Sequence, residues 1–308
     1  MADRRTTSLK RKTISAAGGC LLRVFIPIAG WLPAKTADRF GAFIGRFAMS
    51  VAKKQRERTI SNLKMCFPDW DDAKVRKTAR QVFEHFGRTT MRFLRAFKTR
   101  PSNVDELTRE EGFEHLEAAL AQGRGALVIT AHFGNWEWAG LFLHHKGYEV
   151  SAIARDANDR TTTNLVNKIR AQEGVEIFPR GSAARPVLRS LAANRIVMIL
   201  PDQNHDELYV PFFGFPAGTV AGPAVLHLRS GAPMVTCFCF ENETGGYTVR
   251  VSPIEIPPLV GERMEDAARI MTEVNAAIER IIREHPEQWL WMHDRWKLAR
   301  QKGMLRGG

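Results

Sequence analysis

The sequence predicts an α/β fold: a mixed, largely parallel sheet flanked by helices, with a basic helical region at the N-terminus. Three observations predict it. From about residue 101, short apolar runs alternate with segments of helical period, the pattern of βαβ units. The 308 residues are 44% hydrophobic and 25% charged, enough to build one large core. Charge is divided along the chain: residues 1–100 hold 23 Lys and Arg against 7 Asp and Glu, while residues 101–308 hold 22 against 26, for a net charge of +12. The expected division is therefore a helical region over 1–100 and an α/β region over 101–308, continuous with each other. No segment recurs with a period of 20–50 residues, which excludes solenoids and propellers.

Taken in order, the chain opens with a basic start and an apolar stretch from Ala16 to Pro33, interrupted by Arg23 and Pro27. It is short for a span of about 20 residues. A signal peptide fits the basic start, but no clean A-x-A site follows and further basic residues do. The expectation is a membrane-anchoring segment on the cytoplasmic side, its basic flanks facing anionic headgroups. Residues 36–60 read as a basic amphipathic helix, ended by a turn at Pro68-Asp69. Residues 73–98 carry Val75, Ala79, Val82, Phe83, Phe86, Phe93, Leu94 and Phe97 at helical spacing, with cations opposite.

Beyond residue 101, helices are expected at 113–122, 135–146, 159–172, 183–193, 220–230 and 264–284. Strands are expected at 126–131, 148–155, 175–178 and 195–200, then at "PMVTCFCF" and "YTVRVSPI", joined as a hairpin around Gly245-Gly246. Cys237 and Cys239 share one face of a strand and read as buried, inert thiols. In open parallel sheets, ligands bind beyond the carboxyl ends of the strands. Three polar clusters lie there: His132 to Glu137, Arg155, and Asp202-Gln203.

The first is the sharpest. In "GALVITAHFGNWE" an apolar run ends abruptly in His132, with Gly134, Asn135 and Glu137 following. Asn135 fits the N-cap of the next helix, and Glu137 then falls in its first turn, where the helix dipole favours a carboxylate. Folded back, Glu137 would accept the His132 Nδ1–H and leave Nε2 as a base. Gly134 would admit a substrate close to the backbone. Spacing alone leaves a second reading open: a structural histidine at a helix start beside an ordinary N-terminal carboxylate. Trp136 and Trp138 read as packing or interfacial residues.

"AHFGNWE" resembles the H-x4-D/E signature of the lysophospholipid acyltransferase superfamily. An ordered set of further segments is similar to one branch of it, the late acyltransferases of lipid A biosynthesis. These are "ISNLKMCFPDW", "IARDANDR", "PRGSAARPVLRSLAANRIVMILPDQNHD", "VPFFGFPAGTVAGPAVLHLRSGAPMV" and "HPEQWLWMHDRWK", and the similarity as a whole covers roughly residues 20 to 300. Asp156, where family members often carry proline, and Phe240-Glu241, where they often carry arginine, are departures.

The resemblance implies acyl transfer from an acyl carrier protein or coenzyme A thioester to a hydroxyl of a phosphorylated glycolipid, a lipid A precursor, with a phosphatidylinositol mannoside or a lysophospholipid as the alternative acceptor, at the cytoplasmic face of the inner membrane. His132 and Glu137 would be catalytic, and Arg155, Arg180, Asp202, Gln203 and Thr219 would bind substrate. Backbone N–H groups near the helix start and Arg155 are the candidate oxyanion donors. No cofactor or metal is required. Plain alternatives for the weaker positions are loop salt bridges, turn capping and, for Thr219, a helix cap. The apolar loop "PFFGFP" would line an acyl groove or pack, and the Trp-rich "PEQWLWMHDRW" would pack or sit at a membrane interface. Two other functions compete. One is a metal-dependent hydrolase using His132, Glu137 and His144 or His145, although no H-E-x-x-H is present. The other is a non-catalytic basic binding protein, although no nucleic-acid motif is present.

Overall fold

The structure, a computed structural model, describes residues 31–95, 103–154, 160–172 and 174–305. Its centre is a seven-stranded sheet in the order β1-β9-β8-β2-β5-β3-β4. The strands are β1 (Thr108–Glu111), β2 (Ala126–Ile129), β3 (Val150–Ala154), β4 (Val175–Pro179), β5 (Ile196–Ile199), β8 (Met234–Glu241) and β9 (Tyr247–Pro253). Five neighbours, from β8 to β4, run parallel. β9 returns antiparallel to β8 around Gly245-Gly246, and β1 joins β9 in parallel. The mixed, largely parallel sheet expected from the sequence is the one observed.

The period of two divides the core. Leu127, Ile129, Val197, Ile199, Phe238 and Phe240 face one hydrophobic layer. Ala126, Val128, Ile196, Met198, Cys237 and Cys239 face the other. Helices α5 (Phe113–Leu120) and α6 (Trp136–His145) cover the second layer. Helices α8 (Ala184–Ala192), α9 (Gly222–Ser230) and α10 (Arg263–Glu284) cover the first. The thiols behave as expected: burial pushes Cys237 up to about 12 and Cys239 well above its usual value.

Three local differences matter. The basic amphipathic helix is two, α1 (Ala34–Val51) and α2 (Lys53–Cys66), broken at Ala52. The stretch "PFFGFP" is not a loop. It belongs to an antiparallel hairpin of β6 (Leu208–Phe212) and β7 (Phe215–Thr219), turned on Phe213 and Gly214, both at positive φ. Thr219 therefore ends a strand and does not begin a helix. The tryptophans of the C-terminal segment are core: Trp289, Trp291 and Trp296 are all buried.

Helix α3 (Asp72–Arg95) crosses α1 at backbone contact. Gly41 and Gly45 of α1 lie against Gly87 and the Phe83 carbonyl of α3, and a Cβ at any of the three glycines would overlap the opposing backbone. The expected membrane segment from Ala16 lies outside the described residues up to position 30. Among the described residues, no helix is long and apolar enough to cross a membrane.

Candidate active site

Register builds the site. Ile129 of β2 pairs with Ile199 of β5. His132 and Asp202 each lie three residues further on, so two adjacent parallel strands deliver them side by side at the carboxyl edge. Asp202 accepts twice from His132: the ring Nδ1 is 2.8 Å from Oδ1, and the backbone N–H donates to Oδ2 at 2.9 Å. The indole N–H of Trp289 donates to Oδ2 at 3.0 Å. The Asp202 side chain is 2% exposed and that of His132 23% exposed. A carboxylate at Nδ1 fixes the tautomer that leaves Nε2 as the acceptor. On that side stands Gln203, its amide nitrogen 3.3 Å from Nε2.

The electrostatics follow from the contacts. Burial disfavours the His132 cation, but the charge and hydrogen bond of Asp202, with the charge of Glu137, outweigh it and raise its pKa. Burial likewise opposes the Asp202 anion, yet His132 and the two N–H donors lower its pKa to about 2. The loop after Asp202 is pinned by His293, which burial lowers to about 4 and whose Nε2 accepts the Asn204 N–H at 3.0 Å.

Glu137 is not folded beneath the imidazole. This corrects the expectation that it accepts Nδ1–H. Asn135 does cap α6, its Oδ1 accepting the Trp138 N–H at 3.1 Å. Glu137 in the first turn then faces α7 (Arg160–Gln172), where Arg170 grips it through two nitrogens at 2.5 and 3.0 Å. The Trp136 indole donates to the same carboxylate at 3.0 Å. A bidentate Arg–carboxylate pair is a strong geometric preference, and Asp202 already holds Nδ1. Glu137 reaches His132 only through its charge, which the charge of Arg170 opposes, and the Trp136 ring lies 5.3 Å from the imidazole.

Gly134 also has a different use from the one expected. At φ +56° its bare α-carbon faces the Cys239 carbonyl of β8, which a Cβ would overlap. The close neighbour there is the sheet itself. The Gly134 N–H donates to Gln288 O at 2.8 Å and the Asn135 N–H to Cys239 O at 2.8 Å. Both are committed, so neither is the oxyanion donor expected from the helix start.

The remaining positions separate. Arg155 lies outside the described residues. Arg180 opens a short 3-10 turn (Arg180–Ser182) just past β4, on the same sheet edge. Thr219 is fully buried and serves structure: Arg295, also fully buried, donates to its hydroxyl at 2.8 Å, and the hydroxyl donates to Ala217 O at 2.8 Å. His144 and His145 end α6, about 15 Å along the helix from its start, and His145 bonds Asp105 at 3.0 Å. Among the described residues, no three His, Cys, Asp or Glu side chains converge as a metal-holding group.

Sequence reading missed two residues of this arrangement. Trp289 lay unnoticed among packing tryptophans, and Arg170 among the polar residues of a helix. The spacing after paired strands was the signal for Asp202 as partner of His132, usable only once β2 and β5 are known to be neighbours.

Comparison with known proteins gives the family. Residues 7–298 match the bacterial lipid A biosynthesis acyltransferase family. A lipid A biosynthesis acyltransferase of Haemophilus influenzae is 25% identical over 279 residues, covering 87% of this chain and 84% of that protein. The lipid A biosynthesis lauroyltransferase of Escherichia coli is 26% identical over 273 residues, covering 86% of this chain and 87% of that one. A phosphatidylinositol mannoside acyltransferase of Mycobacterium tuberculosis is 27% identical over 192 residues, covering 60% of this chain and 58% of that one. The chain belongs to the bacterial lipid A biosynthesis acyltransferase family, and it is an acyltransferase.

Proposed function

We propose that this chain transfers a fatty acyl group from a carrier-protein or coenzyme A thioester to a hydroxyl of a lipid A precursor, with His132 as general base. One observation carries the reading: a partly exposed imidazole whose Nδ1 is held by a buried carboxylate, at the open edge of an acyltransferase-family sheet. The acceptor hydroxyl displaces the Gln203 amide at Nε2 and gives up its proton there as its oxygen attacks the thioester carbonyl. The C–S bond breaks, and the imidazolium returns the proton to the departing thiolate. A thiol of pKa about 8.5 leaves without a strong acid, so one base serves both steps. Asp202 holds the imidazole's tautomer and stabilises its cation. Glu137 adds negative charge and is itself held by Arg170. Arg155, which follows β3 in sequence, and Arg180, which follows β4, are assigned to the acceptor's phosphates.

The reaction is set at the cytoplasmic face of the inner membrane. Helix α1 supports this seat. Phe43, Phe47 and Val51 form an outward stripe 57%, 60% and 63% exposed, with Trp31 before it and exposed Lys35, Arg39, Lys53 and Lys54 around it. An apolar stripe ringed by cations fits the interface of an anionic bilayer. The mycobacterial relative supports a second acceptor class, mannosylated phosphatidylinositol.

The test is a transfer assay with detergent-solubilised protein, thioesters of several chain lengths, and either an under-acylated lipid A precursor or a mannosylated phosphatidylinositol, read by mass spectrometry. The expected result is a gain of one acyl chain on the lipid A precursor, absent with His132→Ala. Gain only on the mannosylated lipid moves the assignment to the second class. Gain on neither refutes both.

A further inference from the structure

The loop that carries His132 is held on its other side by a group the chemistry above does not use. His85, on α3, is fully buried, and its Nε2 lies 3.0 Å from the carbonyl oxygen of Gly134. A carbonyl only accepts, so Nε2 is the donor. Thr89 Oγ1, one turn along α3, is 3.4 Å from the same nitrogen. The other ring nitrogen, Nδ1, faces Glu241 Oε1 at 3.4 Å.

Glu241 is itself held. Arg88 reaches it at 3.0 Å and Arg92 at 2.8 Å. Arg92 goes on to Asp38 of α1 at 2.7 Å and to the Tyr247 hydroxyl at 2.9 Å, and that hydroxyl accepts from Asn135 Nδ2 at 2.9 Å. Burial disfavours the Glu241 anion, but His85 and the two arginines hold it well below the usual carboxylate range.

The Gly134–Asn135 peptide is thus clamped at both ends. Its oxygen is held by His85, and its N–H by the Cys239 carbonyl. The clamp matters because glycine has more accessible backbone states than any other residue, so the Gly134–Asn135 peptide needs external partners to hold one orientation. On its N-terminal side, two residues away, is His132. On its C-terminal side are the α6 cap, Trp136 against the imidazole, and Glu137.

The geometry points to His85 as a positioning residue for acyl transfer: from α3 it fixes the Gly134–Asn135 peptide and with it the mutual placement of His132, Trp136 and Glu137. The inference rests on His132 being the base. His85 touches no substrate and moves no proton in the reaction.

Three substitutions at His85 test it, in purified full-length protein assayed by acyl transfer to the under-acylated lipid A precursor. Each variant is first checked for wild-type melting behaviour. His85→Ala removes the donor. His85→Phe fills the space without one. His85→Gln restores an N–H at about the place of Nε2. Small misplacements of reacting groups cost about 10²-fold in rate. The expected result is therefore a kcat lowered about 10- to 100-fold in the Ala and Phe variants, with KM for the thioester within about threefold of wild type. Gln should recover most of the loss. A packing role alone would make Phe the best substitute and leave kcat per folded molecule unchanged.

Folded Ala and Phe variants at wild-type kcat, or a Gln variant no better than Phe, would overturn the proposal. If the Ala and Phe variants do not fold, His85→Asn, whose amide nitrogen reaches only to about the place of Nδ1 and so falls short of the Gly134 carbonyl, carries the test. It should lower kcat with KM spared, and an unchanged kcat would overturn it. Absence of turnover in the wild type would be a failure of the proposed reaction and not of the clamp, and the two outcomes separate before any variant is made.

Discussion

Two carboxylates stand close to the same imidazole, and they arrived by different routes. Glu137 is five residues from His132 in sequence and bonds Arg170. Asp202 is seventy residues away and holds Nδ1 at 2.8 Å. The near one is separated by a helix start, whose geometry aims it at α7. The distant one is delivered by strand register, which places equivalent residues of neighbouring parallel strands at the same sheet edge. Proximity along the chain is a weaker guide to side-chain partnership than proximity across a sheet.

The largest effect should come from the shared centre. His132→Ala should reduce turnover to the assay background with the fold intact, as mass spectrometry of the lipid and circular dichroism would report. Unchanged turnover would end the comparison altogether.

Next comes Asp202→Asn. Loss of the orienting carboxylate should cost about 10²- to 10⁴-fold in kcat, the scale of a general-base contribution. The pH profile gives the sign. Asp202 is the main influence raising the pKa of His132, so the limb on which activity rises with pH should move toward acid in this variant. Glu137→Gln removes a smaller influence of the same sign. Its limb should move the same way by less, and kcat should fall by less than in Asp202→Asn. The reverse order in kcat would reinstate Glu137 as the principal partner.

Stability separates the carboxylates again. His132, raised on folding, adds stability that is present below its unfolded pKa and is lost as pH rises through the folded one. Asp202, lowered on folding, adds stability that is present above its unfolded pKa and is lost as pH falls through the folded one. The pair is thus most stabilising from about pH 4 to 6.5, between the ordinary pKa values of the two groups. Denaturant melts across that window should show the wild-type advantage over Asp202→Asn fade on either side. An advantage flat with pH would contradict the pairing. The smallest effect on chemistry should come from α1: Phe43→Ser with Phe47→Ser should weaken sedimentation with anionic vesicles while leaving turnover in detergent within about twofold.

Legibility in the sequence tracks how local the cause is. The strands from β2 to β5, and β8 with β9, were readable because a buried strand needs only its own apolar run. Asn135 as a cap and the Cys237-Cys239 face were readable for the same reason. The β6–β7 hairpin was not, because Pro211 and Pro216 punctuate it like a loop; Gly214 between two short apolar runs was the available signal. Nothing local breaks the helical period at Ala52. Asp202 was visible as a strand-end residue, but its partner was not, since strand order is a property of the whole sheet. Thr219 was a site candidate through the resemblance alone; its partner Arg295 lies seventy-six positions on and was not readable from the sequence.

The central claim is that Asp202, and not Glu137, holds the imidazole of the base. The most direct measurement is proton NMR of the ring N–H of His132, in protein labelled with nitrogen-15 at histidine, for wild type, Asp202→Asn and Glu137→Gln. A low-field Nδ1 proton is expected in wild type, persisting in Glu137→Gln and lost or moved strongly upfield in Asp202→Asn. Loss in Glu137→Gln with retention in Asp202→Asn would contradict that claim.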